Sequence, residues 1–226
     1  MQRVKRTLAS QRKVIGTIKT YLRAKFENEG TGHDWWHIER VLNNAITIAK
    51  REKGADHFLV QLGALLHDVA DFKFHHGDEK LGGKVAAKLL KNAGIDPATI
   101  LAVVHIVDNV SFKGKNMKST ITSIEGKIVQ DADRLDAIGA IGIARAFAYG
   151  GYKQRPIYDP EGKIRDYKTF EQYKKGGDST IHHFHEKLLH LRNLMNTKAG
   201  KKMATVRHEF IKNYLKEFYA EWNGKR

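Results

Sequence analysis

Apolar residues recur at three- and four-residue intervals along nearly the whole chain, and no stretch alternates long enough to predict a half-buried strand. This period constrains the fold most, because each segment then carries one apolar stripe that must be buried against another helix. From about Trp36 to Lys50 the stripe is Ile38, Val41, Leu42, Ala45 and Ala49, with His37, Arg40 and Asn44 on a neighbouring face. From His57 to about Ala70 it is Phe58, Leu59, Leu62, Leu65, Leu66 and Val69. Further helices are predicted over about Glu79–Asn92, stopped by Gly94, over Ala98 to about Val110, opened by Asp96-Pro97, and over Ser123 to about Leu135. The small-residue run AIGAIGIARAFA is expected to continue helically and to allow close packing. Two amphipathic helices close the chain, about Thr180–Asn196 and Lys201–Trp222. The second sets Phe210, Ile211, Tyr214, Leu215, Phe218, Tyr219 and Trp222 along one broad apolar face.

The pattern breaks between Gly150 and Gly177, where GGYKQRPIYDPEGKIRDY holds two of the three prolines and several glycines; this reads as a long ordered loop. No linker-like cluster of Gly and Pro divides the rest. The expected architecture is all-α, a single-domain helical bundle over residues 1–226. Within it, residues 1–28 or so form an N-terminal helical extension, about 150–177 the loop, and about 180–222 a C-terminal helix pair. With 41% hydrophobic residues in 226, the chain can bury a substantial core.

Composition excludes several chemistries. The chain has no cysteine, so disulfides, thiolate metal sites and a Cys nucleophile are absent, and a reducing compartment fits. The opening MQRVKRTLASQRKVIGTIKT lacks an uninterrupted apolar core before a small-residue cleavage site, and no apolar run reaches about twenty residues; the expectation is a cytoplasmic protein without a membrane span. The net charge of +15 is spread along the chain rather than gathered into an arm. It favours an anionic partner, a nucleic acid or a small molecule, against an equally weighted reading as a solvated basic surface; the absence of a basic arm or a groove-reading motif disfavours nucleic acid. The broad apolar face of the last helix would also serve a homo-oligomer.

The His67-Asp68 pair is the most informative chemical feature, because imidazole and carboxylate are both ligands for divalent metals. On a helical wheel His67, Asp68 and Asp71 fall opposite the apolar stripe, one turn after the small residues Gly63 and Ala64, so this second face is expected to be covered too. Buried His and Asp need partners, and a metal would satisfy both. His37 lies upstream, and Asp131, Asp133 and Asp136 lie downstream; the wheel does not separate these three carboxylates. Alone, the pair also fits an ordinary helix end, and QDADRLD also fits a solvated, salt-bridged turn. Trp35 and Trp36 read as core residues rather than as a stacking platform.

The segments GHDWWHIERV, LLHDVAD and DADRLDAIGAIG, in that order and spacing, resemble the successive motifs of the HD-domain phosphohydrolase superfamily, all-helical metal-dependent proteins with an H…HD…D ligand pattern. SFKG, YGGYKQRPIYDP, STIHHFHEKLLHLRNLMNT and the closing RHEF…EFYAEW extend the resemblance to one bacterial and archaeal subgroup, the YpgQ/YedJ-like subfamily, over about His33 to Trp222. One departure is that His182 and His185 stand where an amide and an aromatic would be expected. The resemblance implies an HD-domain fold and metal ligation by His37, His67, Asp68 and Asp133, the last chosen because ADRL matches the superfamily's motif.

That ligand set suits one divalent ion, Mn²⁺ first, with Fe²⁺, Co²⁺, Ni²⁺, Mg²⁺ and Zn²⁺ as alternatives. The implied reaction is metal-assisted hydrolysis of a phosphate ester or anhydride. Asp71, one turn after His67, is placed to orient or deprotonate the attacking water. Arg40, His33, His105, Lys113, His183 and Lys187 are candidate substrate contacts, Arg40 as a phosphate clamp. The expected substrate is a nucleotide, an NTP or dNTP cleaved to the monophosphate and pyrophosphate. A phosphodiesterase or alarmone hydrolase with the same metal core is the alternative within enzymes, and a basic nucleic-acid-binding module with an inactive site the alternative outside them.

Overall fold

The computed structural model describes residues 6–27, 29–30, 32–70, 80–111, 119–167 and 179–226. Among them every regular element is helical and none is a strand, as the periodicity requires. The chain divides into two compact units, residues 1–111 with 119–133, and residues 112–118 with 134–226.

The first unit contains α1 (Leu8–Lys25), α2 (Trp35–Ala49), α3 (His57–Leu66), α4 (Leu81–Asn92), α5 (Pro97–Asn109) and most of α6 (Ile124–Asp136). Helix starts follow side-chain caps. The Asp34 carboxylate accepts from the His37 amide, that of Asp56 from Phe58 and Leu59, and that of Asp96 from Thr99, with Pro97 just inside α5. Each such cap contributes about 1 kcal/mol. α3 is the central element, buried at every residue from Phe58 to Leu66 except Gln61, and it packs against α1, α2 and α5.

Two sequence expectations are corrected in this unit. α3 ends at Leu66 rather than near Ala70. The His67 ring bonds the Ala64 carbonyl, which a continuing helix would give to the Asp68 amide. The backbone then tightens, with Val69 N–H donating to Leu66 O at 3.1 Å. Trp35 is core, but Trp36 is 58% exposed.

The second unit holds α7 (Gly139–Tyr152), an irregular stretch from Lys153 to Tyr167, α8 (Thr180–Glu186), a 3₁₀ helix (Leu188–Leu194) and α9 (Lys198–Trp222). The small-residue run does not continue α6. Ala137 and Ile138 form a turn, and Gly139 enters α7 at φ +77°, a backbone conformation that side-chain-bearing residues avoid. The segment expected as one helix over Thr180–Asn196 is broken at Lys187, whose φ of −132° leaves the helical region. Thr197 then caps α9 by accepting from the Gly200 amide at 2.9 Å.

The irregular stretch is tied to α8. Pro156 and Ile157 carbonyls accept from the amides of Thr180 and Ile181, both at 3.0 Å. The buried Glu186 carboxylate accepts from the Arg165 amide at 3.0 Å and the Tyr167 hydroxyl at 3.2 Å. Gly162 backs onto the His182 ring so closely that a Cβ there would lie 2.6 Å from His182 Cε1. Tyr158 meets His182, Tyr219 and Trp222 edge-on. On α9, Ile211 and Leu215 are buried as expected, whereas Phe210 is 52% exposed. No helix among the described residues is long and apolar enough to cross a membrane.

Candidate metal centre

The first unit brings His37, His67, Asp68 and Asp133 to one point. His37 Nε2 lies 3.1 Å from His67 Nε2, 3.3 Å from Asp68 Oδ2 and 3.7 Å from Asp133 Oδ1. His67 Nε2 lies 3.6 Å from the same Asp68 oxygen and 3.8 Å from the same Asp133 oxygen. α2 supplies the first residue from its capped opening turn, the turn after α3 the next two, and α6 the last. His37 is fully buried, His67 and Asp68 nearly so, and Asp133 is half-buried.

The hydrogen bonding of His67 decides what the cluster can hold. Its Nδ1 lies 2.8 Å from the Ala64 carbonyl, which can only accept, so Nδ1 carries the proton. In the neutral ring the Nε2 lone pair then faces His37 and the two carboxylates. Burial alone would raise the Asp68 carboxyl. The charge of His67, a hydrogen bond from His37 and the further charges of His37 and His33 outweigh it and hold Asp68 well below the usual carboxylate range. Two imidazoles and two carboxylates gathered in this way make a donor set suited to a divalent cation. His37, His67 and Asp133 present ligand atoms within 4.8 Å of one another, the group of this kind among the described residues.

The acidic cluster is now resolved into separate jobs. Asp133 faces the histidines, while Asp136 pairs with Arg145 at 3.0 Å and Asp131 is fully buried. His33 belongs with the cluster, its ring edge-on to His37 at 5.6 Å. Arg40 sits half-buried on α2, one turn after His37. His105 is exposed on α5, where its ring nitrogen lies 3.5 Å from Asn109 of the same helix, and it is not among the groups gathered here. His183 and Lys187 are half-buried at α8 in the second unit. Asp71 and Lys113 lie outside the described residues. The sequence reading missed the Ala64 carbonyl, visible in principle as the backbone group three residues before His67, and Lys25, which donates to the Val69 carbonyl and has no sequence signal linking the two.

The sequence profile of the HD domain matches residues 35–138, which include all four residues. YpgQ of Bacillus subtilis is 38% identical over 209 residues, 92% of this chain and 93% of YpgQ. Its crystal structure in complex with ADP superposes with a TM-score of 0.73 at 35% identity, covering 94% of this chain and 96% of that one. A Lactobacillus plantarum protein of known structure gives a TM-score of 0.83 at 37% identity, over 97% of this chain and all of its own. An HD-superfamily hydrolase from Bacillus thuringiensis gives 0.72 at 40% identity, over 94% and 98%.

Proposed function

The chain belongs to the HD-domain family of phosphohydrolases, and we propose that it is a nucleotide pyrophosphohydrolase, cleaving an NTP or dNTP to the monophosphate and pyrophosphate with the help of one divalent ion, Mn²⁺ first. The observation that carries the reading is the convergence of His37 Nε2, His67 Nε2, Asp68 and Asp133, with the His67 lone pair turned inward by the Ala64 carbonyl. These four residues would hold the ion. When bound, such an ion supplies Lewis acidity toward a phosphate oxygen and lowers the pKa of the attacking water.

The protein's own groups do the rest. The Ala64 carbonyl fixes the His67 ring with Nε2 turned inward, and the neighbouring imidazoles hold Asp68 well below the usual carboxylate range, so the ligand atoms already face one another before an ion displaces the protons on the imidazoles. Asp71 is assigned to orienting the water or taking its proton, and Arg40, His33, Lys113, His183 and Lys187 to contacts with the substrate. A nucleotide substrate is supported by the ADP in the YpgQ crystal structure and by the +15 charge of this chain.

Chelator-stripped protein should be inert and regain nucleotide hydrolysis with Mn²⁺, with pyrophosphate as the product. His67→Ala should reduce turnover at least about a hundredfold, since even outer partners of a metal ligand cost 10–100-fold. A His67→Ala protein that hydrolyses the best nucleotide as fast as wild type sinks the mechanism, and release of orthophosphate moves the cleavage to another bond.

A further inference from the structure

α1 lies outside the residues matched by the HD-domain profile, yet three of its basic side chains reach the segments that carry His37 and the His67-Asp68 pair. Lys19 pairs at 2.9 Å with Glu39, two residues past His37. The Arg23 guanidinium lies 5.9 Å from the ring centroid of Trp36, the residue before His37. Lys25 Nζ donates at 2.5 Å to the carbonyl of Val69, the residue after Asp68. The other side of α1 is anchored: Val14, Ile18 and Leu22 are buried, and the helix packs on α3.

The Lys25 contact has the clearest physical consequence. The turn that follows α3 has backbone carbonyls that no helical ladder pairs. Val69 is fully buried, so water is a poor substitute there. The Lys25 ammonium supplies the missing donor and brings positive charge to the negative end of the helix dipole. Although the residue is exposed, its ammonium is partly desolvated against the turn, and that lowers its pKa. Lys19 and Arg23 meet other side chains, whereas Lys25, exposed like Arg23, is the one that bonds the backbone of the turn.

We infer that α1 is a brace for the metal centre and that Lys25 is its positioning residue: by holding the Val69 carbonyl, the ammonium sets the turn that aims His67 and Asp68 at His37 and Asp133. This rests on the metal-centre reading above. Lys25 acts through the backbone of the turn, as the outer partners of metal ligands do.

The test uses the full chain, stripped with a chelator and titrated calorimetrically with Mn²⁺, alongside the thermal midpoint of the metal-free protein. Lys25→Met keeps the length and the apolar stem but removes the donor; Lys25→Arg keeps a donor. Lys25→Met should bind Mn²⁺ about tenfold more weakly, with a metal-free midpoint lowered by no more than about 4 °C. Lys25→Arg should recover most of the affinity. Wild-type affinity in Lys25→Met overturns the brace whatever the midpoint does, and so does equal weakening in both variants, which would assign the loss to packing. If Lys25→Met does not fold, Lys25→Ala carries the same expectation. A wild type that binds neither Mn²⁺ nor another divalent ion overturns the metal centre itself and the brace with it, whereas binding by wild type with no loss in Lys25→Met overturns the brace alone.

Discussion

Two regions of this molecule are rich in histidine, and only one of them gathers metal donors. The first unit brings together two imidazoles and two carboxylates; α8 carries His182, His183 and His185 within four residues and forms no comparable group among the described residues. The difference lies in where the partners leave the lone pairs. In the first unit a backbone carbonyl takes the far nitrogen of His67 and turns the near one inward. On α8, His185 Nε2 meets the Tyr219 hydroxyl at 2.9 Å, and His182 is set edge-on against Tyr158. The nearest carboxylate in sequence, Glu186, is occupied by the Arg165 amide and the Tyr167 hydroxyl. His185 is moreover held neutral, its pKa lowered by burial and then by the charges of His182 and His190. A count of histidines therefore says little, and the bond made by the second ring nitrogen says most.

The sharpest way to break this contrast is a pair of substitutions. His37→Ala should weaken divalent-metal binding by more than about 100-fold. His185→Ala should leave binding unchanged and cost about 1 kcal/mol of stability through the lost hydrogen bond. Equal losses of affinity in calorimetric titration would erase the distinction. A middle-sized effect is expected at Gly162, where an added Cβ meets His182 Cε1 at 2.6 Å and the Asp159 carboxylate at 2.8 Å. Gly162→Ala should lower stability by about 1–3 kcal/mol in chemical denaturation while metal affinity stays at the wild-type value. A silent substitution would show that the 153–167 stretch is not held against α8.

The smallest effect separates the regions by pH in the metal-free protein. With a lowered pKa, folded His185 binds fewer protons than the unfolded chain, so its contribution is intact above about pH 6.5 and is lost as pH falls through the lowered value. Asp68 is also depressed, so its contribution is intact above about pH 3.9 and is lost on further acidification. Denaturation curves should therefore weaken in two steps; His208, likewise lowered by burial, shares the upper one, so His185→Gln should shrink that step and leave the lower one unchanged. An upper step of undiminished size in that variant assigns it wholly to other groups and undoes the contrast.

Much of the fold was legible in the sequence because helix period and caps act locally. The helix starts expected at about Trp36, at His57 and after Asp96-Pro97 are reproduced within a residue, and the structure adds Asp34 and Asp56 as the caps of the first two. The breaks at Ala137–Ile138 and at Lys187 were not legible. The first interrupts a run whose period continues unchanged, where Gly139 turns at positive φ beside Arg207, and the second interrupts an equally continuous amphipathic pattern. Grouping of His37 with the His67-Asp68 pair came from motif order. Asp133 came from the ADRL motif alone, and it took three dimensions to see that Asp133 meets the histidines while Asp136 meets Arg145.

The cap of α2 has a consequence beyond helix stability. The Asp34 carboxylate accepts its hydrogen bond from the amide of His37 itself, at 2.7 Å. A frayed first turn would release that imidazole from its partners, so the cap sets the fraction of molecules in which the site is assembled. Losing about 1 kcal/mol of capping multiplies the frayed population about fivefold, and wherever that population is appreciable the apparent affinity falls with the competent fraction. Asp34 thus enters the occupancy of a site it never touches, through an equilibrium between open and closed ends of one helix.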